Sequence, residues 1–286
     1  MIMRDTLFIL FQYFIPQHFI SKIVSKFAAS KNRSIKNAFI ALYLKRFDIK
    51  MNEALIEDPF DYESFNDFFT RELKPELRPV DQGDKSIISP CDSLISQCGP
   101  ITDNRVIQAK SKFFHLNDLL GFKKSTNSVF QNGTFLTFYL APKDYHRIHM
   151  PYSGKLKSMI YIPGDLFSVN TVTANSVDNL FSRNERLVCI FETSYGPMAM
   201  VLVGAIIVSG IRVIWKKDGF NEIKQIKKWD FSSELDNEIF LEKGEEMGHF
   251  MLGSTVIVCF PDSSMSLDES ISKNSVIQMG EMIGSY

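Results

Sequence analysis

A strand-forming stretch lies near the carboxyl end of the chain: Met251-Leu-Gly-Ser-Thr-Val-Ile-Val-Cys-Phe260. Its second half, Val256–Phe260, is rich in β-branched residues, which predicts a β-strand. The Gly-Ser-Thr triplet in front of that run usually marks an ordinary bend. Gly253 lacks a Cβ atom, however, and so permits backbone angles that other residues avoid. The triplet gains meaning only when it is combined with the rest of the chain.

Short runs of the same kind follow one another from about residue 86 onward. They are bounded by Gly, Pro and Asp, and include Thr134–Leu140, Ser158–Ile162, Leu187–Glu192 and Met198–Val208. The first 75 or so residues instead look helical, up to the proline-rich segment that begins at Pro75. Regular strand–helix alternation is missing. The sequence therefore predicts an α+β fold, with a helical region at 1–75 and a mainly antiparallel β body at 76–286.

Length and cysteine content limit the class of protein. With 286 residues, the chain suffices for one large domain or two modest ones. Its four cysteines form no C-x-x-C pair, and Cys189 and Cys259 lie in apolar runs typical of small buried residues. Neither a disulfide framework nor a zinc site is indicated, which favours a reducing compartment. The common phosphate-binding and zinc-binding motifs are missing as well, so the sequence supports neither a nucleotide cofactor nor a metal.

Charge is distributed unevenly along the chain, although the formal net charge is only −1. Residues 1–50 hold nine Lys or Arg against two acids, whereas the remaining residues hold 23 basic against 31 acidic side chains. A basic amino end on an acidic body predicts attraction to a negatively charged surface. Because the basic residues alternate with bulky apolar ones, a lipid surface fits this pattern better than nucleic acid.

The amino end carries amphipathic stretches but no long apolar run. Leu7–Ile15 contains Gln12, stops at Pro16, and falls short of the roughly 20 residues that a spanning helix needs. One helical face of the next segment is apolar, and its members are Phe19, Ile20, Ile23, Val24 and Phe27. A second stretch, Ile35–Phe47, also mixes aromatic with basic residues. Two interpretations stay open: these helices rest on a membrane surface, or they pack on the protein core.

Two of the five histidines lie in Pro142-Lys-Asp-Tyr-His-Arg-Ile-His-Met-Pro151, directly after a predicted strand. Proline is common in the first turn of a helix, so Pro142 predicts a helical turn here. A spacing of three would then place His146 and His149 on one face, whereas a strand would point them in opposite directions. Shared placement on one face would make this pair a candidate functional site.

Asp92, His149 and Ser254 together supply an acid, a base and a nucleophile. Asp92 lies in Ser89-Pro-Cys-Asp-Ser93, which by itself looks like a turn. An imidazole can take the proton of a serine hydroxyl, and a carboxylate can orient that ring and stabilise its charged form. A serine oxygen can also attack the carbonyl just before it, which turns an amide into an ester. Chain order neither supports nor excludes the set.

With these residues in view, the chain resembles the phosphatidylserine decarboxylase family in its bacterial form. The similarity covers nearly everything after about residue 55, while the first 50 residues match only in character. The segments that carry it, besides the Asp92 turn, are Phe65-Asn-Asp-Phe-Phe-Thr-Arg-Glu-Leu73, Ile107-Gln-Ala-Lys110, Asp144-Tyr-His-Arg-Ile-His-Met-Pro151, Tyr161-Ile-Pro-Gly-Asp-Leu-Phe-Ser-Val-Asn170, Asn179-Leu-Phe-Ser-Arg-Asn-Glu-Arg186 and Lys243-Gly-Glu-Glu-Met-Gly-His-Phe-Met-Leu-Gly-Ser-Thr255.

The resemblance implies a proenzyme that cuts itself between Gly253 and Ser254, giving residues 1–253 and 254–286. In that scheme His149, aided by Asp92, deprotonates Ser254, whose oxygen attacks the Gly253 carbonyl. The resulting ester breaks by elimination, and Ser254 ends as a pyruvoyl group. This cofactor is covalent and needs no metal. The body at 76–286 would be the catalytic domain.

The same resemblance implies that phosphatidylserine is decarboxylated to phosphatidylethanolamine. Loss of CO2 leaves a carbanion, and the pyruvoyl carbonyl takes up its electrons as pyridoxal phosphate does elsewhere. His146 is the candidate that returns a proton to the new carbon. Further expectations are a peripheral position on the cytoplasmic face of the bacterial membrane, two fragments that stay together, and a homodimer of processed units. No nucleic-acid partner is expected.

Two other function classes compete with this interpretation. A serine hydrolase would use the same three residues on an external ester or amide, but its serine usually lies in a G-x-S-x-G turn, which is missing here. A non-catalytic membrane-binding module would account for the amino end but leave the histidine segment without a role. Self-processing into two fragments would distinguish the decarboxylase from both the serine hydrolase and the membrane-binding module.

Overall fold

A sheet of nine antiparallel strands forms the centre of the described molecule. The computed structural model describes residues 2–109, 112–123, 128–206, 210–216, 218–220, 222–231, 238–251 and 254–286. The strands in this part of the chain are β1 (Ser86–Ile88), β2 (Ser93–Pro100), β3 (Arg105–Ala109), β4 (Lys112–His115), β5 (Thr134–Leu140), β6 (Arg147–His149), β7 (Gly154–Ile162), β8 (Arg186–Thr193), β9 (Gly196–Val203), β10 (Ile211–Val213), β11 (Lys227–Asp230), β12 (Phe240–Leu241), β13 (Glu246–Phe250), β14 (Ser254–Phe260), β15 (Ser266–Leu267), β16 (Val276–Ile277) and β17 (Met282–Ser285).

Strand β14 occupies the middle of the large sheet. The order is β11-β7-β8-β9-β14-β5-β2-β16, and β12 also pairs with β7. Thr255 of β14 lies opposite Val203 of β9 on one side and Tyr139 of β5 on the other. Two three-stranded sheets, β10-β13-β6 and β1-β17-β15, and the hairpin β3-β4 accompany it. The predicted mainly antiparallel body is therefore confirmed.

Alternate residues of β14 fill two separate apolar cores. Val256, Val258 and Phe260 belong to the core on one face of the sheet, which includes Ile148 and Met150. Ile257 and Cys259 belong to the core on the other face. Successive side chains of a strand point to opposite faces, so an unbroken apolar run is what a strand covered on both sides needs. Cys189 and Cys259 are fully buried free cysteines, as the sequence indicated.

Residues 254–286 interlace with the rest of the chain. They contribute the central strand β14, strand β16 beside β2, and strand β17 between β1 and β15. The turn before β17 is also tied down, because the N–H of Asp81 donates to the Gly280 carbonyl at 2.9 Å and the N–H of Gly280 donates to the Ser89 carbonyl at 3.1 Å. The carboxyl-end segment is thus part of the same fold as the preceding residues.

The amino end is helical, as predicted, although less continuously than the sequence suggested. The helices of the described residues are α1 (Ile2–Phe14), α2 (Gln17–Ala28), α3 (Arg33–Arg46), α4 (Phe65–Phe69), α5 (Leu116–Leu120), α6 (Thr171–Ser176) and α7 (Leu180–Arg183). Pro16 lies between α1 and α2, where it removes a backbone donor. The Asn32 side chain starts α3 by accepting from the N–H groups of Ser34 and Ile35. Between α3 and α4 the chain is mostly irregular, with one short 3-10 turn.

Helices α1 and α2 contact the body mainly through polar or small side chains, together with Ile9, which packs on one apolar core, and Tyr13, whose ring lies 4.9 Å from that of Phe167. Gln12 accepts from the N–H of Ser168, and the Gln17 side chain accepts from the N–H of Leu166. In α2 the buried side chains are Ser21 and Ala28, while the apolar face predicted from the sequence points largely outward. No single described helix is long and apolar enough to cross a membrane; α1 and α2 meet that requirement only when taken together, and an 89° bend separates them. The third helix differs, since its Ile40 is fully buried.

The helical turn expected in the two-histidine segment is wrong. Residues 142–144 form a tight turn in which the Asp144 carboxylate accepts from the N–H of Ala141 at 2.7 Å. The chain then enters β6, which ends at His149 and pairs with β13. Met150 precedes Pro151, a position that disfavours helical backbone angles. His146 therefore lies before a strand and His149 at its end, so they do not share a helical face.

Candidate active site

Ser254 is the first residue of the central strand β14. It lies opposite Leu140 of β5 and is fully buried. Among the described residues its Oγ atom has no hydrogen-bond partner. Period-two alternation puts Ser254 on the same face as Val256, and that core also holds Ile148 and Met150 on either side of His149. Gly253, the other half of the predicted cleavage site, lies outside the described residues.

His149 is a buried histidine with both ring nitrogens in hydrogen bonds. Nδ1 lies 2.8 Å from the Gly244 carbonyl oxygen, and Nε2 lies 3.1 Å from the Tyr145 hydroxyl. A carbonyl oxygen only accepts, so Nδ1 carries the proton and Nε2 accepts from Tyr145. Burial lowers the pKa of His149, with smaller opposing contributions from the Gly244 hydrogen bond and from nearby carboxylates. The ring is thus neutral near pH 7, the form that a general base requires.

Asp92 is held by an ion pair rather than by histidine. Arg78 donates from Nε to Oδ1 at 2.9 Å and from Nη2 to Oδ2 at 2.6 Å. The N–H of Met279 also donates to Oδ1, at 2.9 Å. Asp92 acts on His149 electrostatically, but no hydrogen bond joins the two side chains in the described part of the chain. The ring of His149 is oriented instead by the Gly244 carbonyl.

His146 is fully enclosed and lies next to an aromatic ring. Its Nδ1 atom is 2.8 Å from the Asp144 carbonyl oxygen, and its ring centroid is 4.1 Å from that of Phe69. Its Nε2 atom has no hydrogen-bond partner among the described residues. Burial lowers the pKa of His146 to about 3, so the ring is neutral near pH 7. A role as proton donor therefore requires a change in its surroundings once substrate is bound.

A cavity of about 360 Å³ opens beside Asp92 and Tyr145. Its size lies in the ordinary range for small-molecule sites. The wall includes Lys50 and Glu53, which follow α3, and Val276 and Gln278 from the carboxyl-end segment. Further lining residues are Arg71, Arg78, Asp92, Tyr139, Asp144 and Tyr145. The cavity thus joins the amino-terminal region, the body and residues 254–286.

Burial shifts the pKa of two residues in this wall, the carboxylic acid Asp144 and the phenol Tyr145. Burial raises the pKa of Asp144 to about 6, which outweighs the hydrogen bond from the N–H of Ala141. Burial also raises the pKa of Tyr145, which keeps its hydroxyl protonated as a donor to His149. Groups of this kind cluster in active sites because catalysis needs adjustable proton affinity.

Sequence reasoning missed Arg71, Arg78, Asp144 and Tyr145 as site residues. All but Arg78 lie in segments that carried the family resemblance, so a signal was present, but no role could be assigned from residue type alone. The ion pair between Arg78 and Asp92 joins residues 14 positions apart and forms only in the folded chain. The described residues contain no group of three or more His, Cys, Asp or Glu side chains arranged to hold a metal ion.

Comparison with known sequences identifies the family of this chain. A family model described as "Phosphatidylserine decarboxylase" matches residues 65–285. The chain belongs to the phosphatidylserine decarboxylase family. A second family model, described as "PSD", matches residues 7–48, which include most of helices α1 to α3. The resemblance seen in the motifs is therefore confirmed, and it extends to the amino-terminal helices.

Relatives in this family match the chain over almost its full length. A protein of Psychromonas ingrahamii is 47% identical over 284 residues, which is 99% of this chain and 98% of the relative. One of Vibrio vulnificus is 47% identical over 94% of this chain and 95% of the relative, and one of Alcanivorax borkumensis is 47% identical over 100% and 98%. Each is named phosphatidylserine decarboxylase proenzyme. Membership in the phosphatidylserine decarboxylase family makes the present chain an enzyme, a decarboxylase.

Proposed function

We propose that this chain decarboxylates phosphatidylserine to phosphatidylethanolamine, using a pyruvoyl group made from Ser254 by cleavage of the Gly253–Ser254 bond. The observation that carries the proposal is the Ser254 hydroxyl, which is fully buried, has no described hydrogen-bond partner and begins the central strand. Buried hydroxyls normally find a partner, and exceptions call for an explanation such as a reactive role. The names of the relatives support both the reaction and the proenzyme state.

The residues around Ser254 fit such a group. The cavity lies next to the end of β5 that faces Ser254, since Tyr139 and Ala141 line it and Leu140 pairs with Ser254. When formed, a pyruvoyl carbonyl supplies an electron sink for the carbanion that remains after CO2 is lost. A sink of this kind needs a site that holds the headgroup and limits water. The cavity has buried residues such as Arg71 and Tyr145 on one side and exposed residues such as Lys50 and Val276 at its opening.

Self-cleavage begins with the proton of the Ser254 hydroxyl. In the proposed step His149 takes it on Nε2, the nitrogen left unprotonated by the Nδ1 hydrogen bond to Gly244. In the structure the Tyr145 hydroxyl donates a hydrogen bond to Nε2 of His149. This hydroxyl must turn away before Nε2 can accept the proton of Ser254. The Ser254 oxygen bonds to the Gly253 carbonyl carbon while the amide C–N bond breaks. The proton held by His149 passes to the leaving amine nitrogen of residue 254. Loss of the Cα proton of residue 254 then breaks the Cβ–Oγ bond by elimination, which leaves residues 1–253 with a carboxylate and residue 254 with a Cα=Cβ double bond. Addition of water and release of ammonia convert residue 254 to the pyruvoyl group.

In the decarboxylation step His146 is proposed to hold the proton that reaches the new carbon. Its unpartnered Nε2 atom and its place beside the cavity-lining residue Tyr145 support this assignment. In the free site burial keeps the ring neutral. An anionic substrate nearby would favour the protonated ring, because a negative charge stabilises a positive one in a poorly solvated site.

Peripheral binding to a membrane through α1 and α2 is also proposed. Large apolar side chains on these helices are exposed, including Leu7, Phe11, Phe14, Phe19 and Phe27. Since Ser21 and Ala28 form the buried side of α2, packing on the core does not account for its apolar face. Each apolar side chain buried in lipid contributes about 1.5–3 kcal/mol, and each nearby basic residue roughly 1 kcal/mol on an anionic surface. The cytoplasmic face and the homodimer stay predictions.

A gel and a mass spectrum test the central proposal. Purified protein should show a fragment that ends at Gly253 and a shorter one that lacks a free amine at residue 254. Ser254→Ala should remain one uncut chain without decarboxylase activity. Thr137→Val is the matched control, because Thr137 on the neighbouring strand is another buried residue whose hydroxyl has no described partner. A fully active, uncut chain with an intact serine would refute self-processing. That result would favour the alternative function, a serine hydrolase.

A further inference from the structure

Arg71 is a buried cation in the wall of the cavity. Its exposed fraction is 4%, and it follows helix α4. Nη2 donates to the carbonyl oxygens of Lys143 and Asp144 at 3.2 and 3.5 Å. Nε and Nη1 have no hydrogen-bond partner among the residues that the structure describes. A guanidinium has five N–H donors, so most of its capacity is unused.

The contrast with Arg78, in the same wall, shows what Arg71 lacks. Arg78 forms ion pairs with Asp92 at 2.6 Å and with Glu53 at 2.7 Å. No carboxylate of the described chain lies within ion-pair distance of Arg71, although Asp92 and Asp144 act on it from farther away. Burial lowers the pKa of Arg71, which reflects the cost of keeping this charge away from water. A buried charge without a counter-charge is costly unless a ligand supplies one.

We infer that Arg71 binds the phosphodiester of the lipid headgroup, as the anion-recognising residue of this cavity. The inference rests on the proposed function and adds the residue that grips the substrate. A guanidinium matches phosphate oxygens in a fork of parallel hydrogen bonds, which an ammonium group cannot reproduce. The headgroup carries two anions, the phosphodiester and the carboxylate, so the choice between them needs a chemical argument.

The course of the reaction favours the phosphodiester. The carboxylate loses its charge when it leaves as CO2, so a guanidinium bound to it would stabilise the substrate more than the transition state and slow the reaction. The phosphodiester keeps its charge throughout. Pairing it with Arg71 therefore stabilises substrate and transition state alike, which lowers KM and leaves kcat unchanged. Loss of that pairing should raise KM by about 10- to 100-fold, as expected for a charged hydrogen-bond partner.

Binding is measured on the full-length Ser254→Ala chain, which cannot turn over. Calorimetry with glycerophosphoserine, glycerophosphoethanolamine and free serine separates the two anions, because the second probe lacks the carboxylate and the third lacks the phosphodiester. We expect both phosphodiesters to bind at least about tenfold more tightly than serine. Adding Arg71→Gln should weaken both phosphodiesters and leave serine unchanged, while Arg71→Lys should recover part of the loss.

The matched control is Arg105→Gln, the same change at an exposed arginine of the β3–β4 hairpin, which should leave all three affinities unaltered. Equal affinity for serine and glycerophosphoserine in the Ser254→Ala chain would overturn the inference even if Arg71→Gln failed to fold. So would weakened serine binding in Arg71→Gln, or a fall in kcat at constant KM in the mature variant. With Ser254 intact, Arg71→Gln should still cut itself. An uncut, inactive wild-type chain would instead refute the proposed function.

Discussion

Strand β14 and helix α2 both carry several large apolar side chains, but they present them in opposite ways. All seven residues of β14 are buried, and the five apolar ones, from Val256 to Phe260, divide between the cores on the two faces of the sheet. In α2 the buried residues are small, and Phe19 is 63% exposed. The same kind of residue therefore stabilises the fold in one region and forms open surface in the other.

The difference indicates that the two regions serve different environments. Burial of an apolar side chain stabilises whichever state removes it from water. For β14 that state is the folded body, so its side chains are needed for folding. For α2 the proposed state is a complex with a membrane surface, since its large apolar side chains stay exposed in the folded chain. Substitutions in the two regions should then affect different measurements.

The largest effect is expected from a charge placed in the strand. Ile257→Asp would bury an unpaired carboxylate in a closed core and should destabilise the protein by more than about 4 kcal/mol. Phe19→Asp, at a side chain of α2 that is 63% exposed, should change the free energy of unfolding by less than about 1 kcal/mol. Urea unfolding of both variants in the uncut Ser254→Ala chain measures this contrast. Similar losses at the two positions would show that α2 is part of the core after all.

The second largest effect is expected at His149, and it should appear in the rate of self-cleavage. His149→Gln removes the proposed base, so self-cleavage should slow by about 100- to 10,000-fold, as is typical for loss of a general base. The reaction is followed on gels after cell-free synthesis of the chain. His115→Gln, at an exposed histidine that ends β4, is the control and should cut at the wild-type rate. If His149→Gln cut itself at the normal rate, another group would have to be the base that deprotonates Ser254.

Removal of the apolar face of α2 should weaken membrane binding strongly, with α1 left to contribute the rest, and should not affect cleavage. Replacing Phe19, Ile23 and Phe27 by Ser should weaken binding to anionic vesicles by about 100-fold or more, because three large side chains no longer enter the lipid. Sedimentation with vesicles measures the bound fraction. Ile226 and Phe240 are also largely exposed, and changing both to Ser should leave binding intact. Equal losses in the two variants would mean that general surface hydrophobicity, rather than α2, drives binding.

The smallest effect concerns pH. Burial lowers the pKa of His149, so the neutral ring persists to a lower pH than in an exposed histidine. The rate of self-cleavage should therefore be flat from pH 8 to pH 7 and fall about tenfold per pH unit only below the lowered pKa. A stopped time course at each pH, read on gels, gives the profile. A midpoint above the usual histidine value of about 6.5 would contradict a neutral buried base.

Much of the fold could be predicted because local patterns and burial agree. The run Thr134–Leu140 is bounded by Gly133 and Pro142, and β5 has those limits in the structure. The two-histidine segment failed because Pro142 is equally suited to open a tight turn, and the Asp144 side chain closes that turn here. The predicted run Met198–Val208 is too long, because β9 ends at Val203 and residues 204–206 are in no strand; only residues 207 and 208 of the run lie outside the described part of the chain.

The candidate site could be predicted by residue type but not by arrangement. Ser254, His149 and Asp92 were found because their chemistry is recognisable in a sequence. Their contacts depend on residues far apart in the chain, such as Asp92 with Met279 and His149 with Gly244. The burial that makes Arg71 unusual could not be predicted from its immediate neighbours, because Thr70 is buried whereas Glu72 is exposed. The domain boundary at residue 75 stays a prediction. Arg71, which precedes that boundary, donates to the Lys143 carbonyl beyond it and lines a cavity with residues from both sides.

The interlaced carboxyl-end segment has a consequence for the nicked molecule. A cut before residue 254 would convert one chain into two without creating two separable bodies, since the shorter one supplies the central strand β14, the edge strands β15 and β16, and β17 in the middle of a small sheet. Exchange of the short polypeptide would demand global unfolding, so the pair should melt as a single cooperative unit. Reassembly from isolated pieces would become a bimolecular reaction that depends on concentration, whereas the intact precursor folds alone. Continuity of the backbone is thus required once, to establish the topology, and not afterwards to preserve it.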